Sequence, residues 1–182
     1  MLRASSKRLG LLIVVVAFIL AYFLTMGQQT SCISSFQSAQ FTKLDTMASF
    51  PDSVQALVKA KTHDVLDHVR CDLSGIADPG EAYNATDVIK CGTPCRRLVF
   101  GGISQDVLFI CYEHGGIGKH YHLLVFANAP SGWVLCFVGR FSPFAGGKHG
   151  KSVSLDLAFL RELMRSGAIT DRRADADTID LF

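Results

Sequence analysis

The chain of 182 residues has room for one globular domain plus a targeting segment, and it is 49% hydrophobic and 19% charged. Its 18 Lys and Arg nearly cancel its 16 Asp and Glu, leaving a formal net charge of +2. That balance provides no broad basic field and excludes nucleic acid as an expected partner.

Positive charge gathers at Arg3, Lys7 and Arg8 and in the pairs Arg96-Arg97 and Arg172-Arg173. The first group falls in residues 1–9, read as a cytoplasmic N-terminus. It precedes Gly10 to Met26, GLLIVVVAFILAYFLTM, which carries no charge over 17 residues. As a helix this stretch spans roughly 25 Å, short for a bilayer but sufficient with flanking anchors. No A-x-A-like cleavage site follows it, and Gln29 stands where a lipoprotein signal would have leucine before Cys32. The reading is an uncleaved transmembrane signal anchor over 10–26. The next charge is Lys43, so the positive-inside rule sends the remainder outward, to a periplasmic or extracellular space. A bacterial inner membrane suits this layout better than a eukaryotic one.

Residues 27–48 read as a tether, because Gly27 to Gln40 is uncharged and rich in Ser and Gln. An extracytoplasmic domain is then expected over 49–170. Ser49-Phe50-Pro51-Asp52 resembles a helix start, with Val54, Leu57, Val58, Val65, Leu66 and Val69 forming one apolar stripe. His63 and His68 fall on or beside its solvent face. Gly75 to Lys90, broken by Asp78-Pro79-Gly80, reads as a surface loop, and Asn84-Ala85-Thr86 fits an N-glycosylation sequon.

From Arg97 the pattern becomes strands: Arg97 to Phe100, Val107 to His114, Tyr121 to Ala127 and Trp133 to Phe141, with short turns between them. Short connections predict an antiparallel meander, and the continuous apolar runs in its middle predict cover on both faces. A second helix follows, capped by Ser152 or Ser154, with Leu155, Phe159, Leu160, Leu163 and Met164 inward and Gly167 as its stop. Residues 171–182 read as a flexible tail. The expected architecture is α+β: an N-terminal transmembrane helix, then one domain with an antiparallel β-meander packed by two helices.

All six cysteines lie on the outward side of the apolar stretch, where disulfides are permitted. Cys71 with Cys91 or Cys95 is the expected pairing, whereas Cys111 and Cys136 sit in apolar strands and read equally as buried thiols. The C-x3-C spacing of Cys91 and Cys95 matches neither a thioredoxin-like redox site nor a zinc knuckle.

The polar tip of the central hairpin is the candidate interaction surface: Tyr112, Glu113, His114, Lys119, His120 and His122. His120 and His122 must share a sheet face, since side chains alternate along a strand. A four-residue loop would set Glu113 opposite His120 and Cys111 opposite His122. The candidate metal set is then His120, His122 and Glu113, with zinc as the ion. A five-residue loop would set His114 opposite His120 and Tyr112 opposite His122. No nucleophile elbow, second carboxylate or H-E-x-x-H accompanies them, so no residue is assigned a catalytic role and no cofactor is required.

Ala145-Gly146-Gly147-Lys148-His149-Gly150-Lys151-Ser152 nearly matches a phosphate-binding loop, which makes Lys148, Lys151 and Ser152 a candidate anion site. Too few residues follow for the repeated βα units of a nucleotide-binding sheet, which argues against nucleotide. The favoured function is a non-enzymatic, membrane-anchored domain that binds another extracytoplasmic protein or serves as an accessory. The rivals are a metal-dependent or acid-base enzyme at the hairpin tip, and a small-ligand or stress sensor.

Overall fold

Strand β3 (Val107–His114) is buried at all eight of its positions, so it needs cover above and below. The computed structural model describes residues 31–61, 75–86, 92–115, 120–142 and 155–169, together with Val16. Around β3 the chain builds a five-stranded antiparallel sheet in sequential order. Its other strands are β1 (Thr42–Leu44), β2 (Arg96–Ile103), β4 (His120–Ala129) and β5 (Gly132–Phe141). Helix α1 (helical over 31–38), α2 (Asp52–Lys61) and α3 (Leu157–Arg165) complete an α+β arrangement.

The alternation of β3 and β4 sorts their side chains into two cores. On one face Phe109, Cys111, Leu123 and Val125 pack with Cys32 and Phe36 of α1 and with Leu160 and Leu163 of α3. On the other, Leu108, Ile110, Leu124 and Phe126 pack with Phe50 and with Val54 and Val58 of α2. Helix α2 begins as expected: the Pro51 carbonyl accepts from Val54 and Gln55, and Asp52 lies in the first turn. The remainder of its predicted stripe, Val65, Leu66 and Val69, lies outside the described residues, as do His63 and His68.

The expected tether is corrected over 31–48. Cys32 and Phe36 are 3% and 0% exposed in the core, β1 pairs with the end of β2, and Met47–Ser49 form a 3-10 turn. The segment is ordered through these two core anchors and its strand pairing, while most of its other side chains stay at the surface. Arg161 of α3 fastens it further, donating to the Phe36 and Ala39 carbonyls at the C-terminal end of α1 while Gln37 donates to the Arg161 carbonyl. A guanidinium there satisfies carbonyls that the helix leaves open and complements its dipole.

Two bulges adjust the sheet. In the β4 and β5 pair, Phe137 faces Val125 and Leu135 faces Phe126, so Cys136 is the extra residue. Strict alternation would turn Cys136 away from Phe137; the bulge lets both join the core under α1. Cys136 thereby reaches Cys32 and forms a disulfide, with a Cα separation of 6.4 Å. This corrects the reading of Cys136 as a buried thiol. Of the expected partners, Cys71 and Cys91 lie outside the described residues, and Cys95 is half-buried. In the β2 and β3 pair the extra residue is Val99, between Leu98 and Phe100.

The second helix is capped by Asp156, whose carboxylate accepts from the Phe159 N–H at 2.9 Å, in place of the expected Ser152 or Ser154, which lie outside the described residues. Gly167, at φ +72°, ends it as expected, returning the Ala168 and Ile169 N–H groups to the Leu163 carbonyl. Ile169 then packs where a Cβ on Gly139 would stand, 2.1 Å from its methyl group, so β5 admits only glycine there without displacement.

The loop at 75–86 joins the sheet in part. Ala77 forms a parallel bridge to Arg97, donating to the Arg96 carbonyl and accepting from Leu98 N–H, beyond the point where β1 pairs with the same strand. Asn84 is 7% exposed, and its side-chain oxygen accepts from the Thr86 amide and hydroxyl. That burial is at odds with a surface glycan acceptor.

The Cys32–Cys136 bond closes a sequence separation of 104 residues, and removing such a crosslink costs about 2–5 kcal/mol. Urea denaturation with and without reductant should show a loss of this size. The Cys32→Ser, Cys136→Ser double variant should show the same loss without reductant. An unchanged midpoint on reduction would count against the clamp.

Candidate functional site

The polar residues of the hairpin tip follow from register. β3 and β4 pair with His114 opposite His120, Glu113 opposite Tyr121 and Tyr112 opposite His122. This is the five-residue-loop alternative. Glu113 consequently faces away from both β4 histidines, and Cys111 stands opposite Leu123.

One face gathers His114, His120, His122 and Tyr112 at the end of the sheet, above the apolar row of Ile110, Leu124 and Val138. The neighbouring strands extend the row, since Arg96 pairs with His114 and Arg140 with His122. His114 and His120 stack with ring centroids 5.0 Å apart, and Tyr112 and His122 stack at 5.0 Å in nearly parallel planes. His120 and His122 lie 4.9 Å apart and His114 and His122 6.0 Å. The His114 Nδ1–H donates to the Gly115 carbonyl. Gly115 is required by close approach, because a Cβ there would lie 2.1 Å from the Asn84 carbonyl oxygen.

The cluster is enclosed. Arg96 and Tyr112 are 0% exposed, His122 3%, His120 6% and His114 7%, while Arg140 is half-buried. Tyr112, Glu113, His114, His120 and His122 therefore do not form the exposed interaction surface expected of them, and Lys119 lies outside the described residues. The polar positions continue the buried row of Ile110, Leu124 and Val138 toward the strand ends and are buried with it. Lys148, Lys151 and Ser152 of the candidate anion loop also lie outside the described residues.

His122 is held neutral. Burial pushes its pKa well below the ordinary imidazole value, and the nearby His120, His114, Arg96 and Arg140 lower it further. Both of its ring nitrogens are buried without a hydrogen-bond partner among the described residues.

The opposite face holds different chemistry. Glu113, 3% exposed, forms an ion pair with Arg97 directly across the strand pair, and the Arg97 guanidinium lies 4.2 Å above the Tyr83 ring. Two residues along, burial and the Glu113 carboxylate push the Cys111 thiol far above its ordinary range. Cys111 is thus a protonated core thiol, not a nucleophile.

The expected zinc set of His120, His122 and Glu113 is not assembled, since the register separates Glu113 from the histidines by the thickness of the sheet. The imidazole spacings would suit three nitrogens on one ion, yet His114 and His120 run side by side instead of converging. Among the described residues no group of three His, Cys, Asp or Glu side chains is arranged to hold a metal.

Arg96 and Arg140 are the members that sequence reasoning missed. Both were legible in principle, since each lies two residues from an inward apolar position, Leu98 or Val138, on its own strand. Away from the cluster, an open depression of about 380 Å³ beside α2 is lined by Met47, Gln55, Val58, Lys59 and Ile76 and offers no comparable chemistry. Comparison with protein-family models, curated proteins and solved structures finds no match for this chain.

A histidine held neutral by folding titrates higher once unfolded, near its ordinary value of about 6.5. Its contribution is therefore fully present above that pH and is lost as pH falls below it. Unfolding free energies from urea titrations taken from mildly alkaline to mildly acidic pH should fall with a slope of up to about 1.4 kcal/mol per pH unit from this group. His122→Asn should flatten that slope; an unaltered profile would show that His122 does not generate it.

Proposed function

We propose that the chain is a membrane-anchored extracytoplasmic accessory domain that binds its ligand or partner without transforming it. The observation that carries this reading is the disulfide between Cys32 and Cys136. Such bonds persist in oxidising compartments, and this one ties the segment that follows the apolar stretch to the far edge strand of the sheet. A domain fastened at the point where it leaves a membrane anchor fits that pattern. Among the described residues no helix is long and apolar enough to cross a membrane, and the 10–26 stretch, Val16 apart, lies outside them. The anchor therefore rests on composition and on the charge asymmetry around it.

Binding is favoured over turnover by the make-up of the buried cluster. An imidazole serving as general base is normally oriented by a carboxylate, and the acid of this hairpin, Glu113, is engaged by Arg97 on the other face. The acid-base enzyme remains the second reading because three imidazoles lie within 6.0 Å of one another. A protein partner would have to use a surface other than the enclosed hairpin tip.

A reporter fused after Phe182 should be active only outside the cytoplasm. In the same cells, differential alkylation followed by mass spectrometry should recover Cys32 and Cys136 linked. Cytoplasmic reporter activity, or full alkylation of both thiols before reduction, would overturn the reading.

A further inference from the structure

The hairpin of β4 and β5 carries no charged side chain from Leu123 to Gly139, although its turn is open to solvent. Asn128, Pro130, Ser131 and Val134 are exposed there, Val134 at 46%. A single exposed valine is ordinary on a protein surface. What gives this one meaning is its place in the fold. Among the described residues the large hydrophobics that stand exposed are Val134 and Val16, and Val16 belongs to the apolar 10–26 stretch.

Val134 lies where the chain enters the domain. It pairs with Ala127, whose side chain packs against the core beneath α1, so Val134 projects on the α1 side of β5. Two residues on, Cys136 is bonded to Cys32 at the start of α1, with 6.4 Å between their Cα atoms. Met26, the end of the apolar stretch, precedes Ser31 of α1 by five chain steps. Even fully extended, such a link reaches at most about 18 Å. That is shorter than the roughly 30 Å diameter of a small domain, so an anchored domain must keep this side toward the bilayer. The disulfide makes the β5 edge part of that side.

We infer that the tip of this hairpin, Asn128 to Leu135, rests in the headgroup region of the bilayer that holds the anchor, with Val134 turned toward the acyl chains. The occupant of this edge is lipid. An uncharged tip enters the interface without stripping water from an ion, which a Lys or Asp in the turn would have to do. Trp133, half-buried against the α2 core, is of the residue type that gathers at membrane–water boundaries. With no Lys or Arg in the tip, the contact is apolar and does not depend on anionic headgroups. The inference deepens the proposed function by naming the surface that meets the membrane, and it rests on that reading for the anchor.

Trp133 is the only tryptophan of the chain, so its emission reports this tip directly. The test reconstitutes the full chain into phosphatidylcholine vesicles and reads insertion separately, by flotation after an alkaline carbonate wash. Lipids brominated near the top of the acyl chains should quench Trp133 strongly and lipids brominated near the chain ends less, since interfacial segments sit about 5–10 Å into the headgroup and acyl boundary. Val134→Asp should lower the quenching and raise access to aqueous iodide while the chain still floats. Circular dichroism checks that the variant folds; if it does not, the depth order in the unaltered chain decides alone. Inserted chains whose Trp133 is untouched by either lipid, is quenched most by the deep label, or is quenched equally in the folded variant would overturn the proposal and leave the anchor standing. Protection from iodide that grows with the protein-to-lipid ratio, without bromine quenching, would put a second copy on this edge and overturn it likewise. Failure to float would remove the anchor, and the bilayer contact with it.

Discussion

Burying both faces of the β3 and β4 hairpin is the constraint on which the rest of the molecule depends. Strands that alternate between two apolar sets cannot be covered from one side, so the chain must place helices on both. α1 and α3 take one face and α2 the other, each presenting its apolar positions to a different row of the same strands. The cover does not stop where the apolar residues stop. Tyr112, His114, His120 and His122 continue the row that begins with Leu108 and Leu124, and they are enclosed with it.

That enclosure changes the chemistry. An imidazole on a wet edge would titrate near its ordinary value and contribute little to stability. Beneath cover, and beside two guanidinium groups, His122 stays neutral. The sheet also keeps its charges apart by thickness alone: one face holds the Glu113 and Arg97 pair, the other the histidines with Arg96 and Arg140. Two adjacent residues, Arg96 and Arg97, therefore serve opposite faces, as period-two geometry requires.

The disulfide illustrates how a local irregularity serves a global purpose. The bulge at Cys136 breaks the alternation of β5 by one residue, and that break turns the thiol toward α1 instead of toward α2's side of the sheet. Spacing among cysteines carries no information about such a turn. For this reason the pairing of Cys32 with Cys136 was not legible from the chain, whereas the strands themselves were. The same holds for 31–44, whose scarcity of charge reads as a tether until Phe36 and Phe41 are found meeting Phe109 edge to face.

By itself the sequence determined the meander, the start of α2, the glycine stop of α3 and the crowding of polar residues at the hairpin tip. These follow from local rules: alternation in strands, stripes in helices, and the few residues able to end them. Tertiary structure alone decided the register that puts His114 beside His120, the bulge that frees Cys136, and the burial of the polar tip. Each depends on contacts between segments distant in the chain. The side-chain set within reach of His122 is one of these long-range outcomes, because a one-residue slip of β3 against β4 would have exchanged His114 for Glu113.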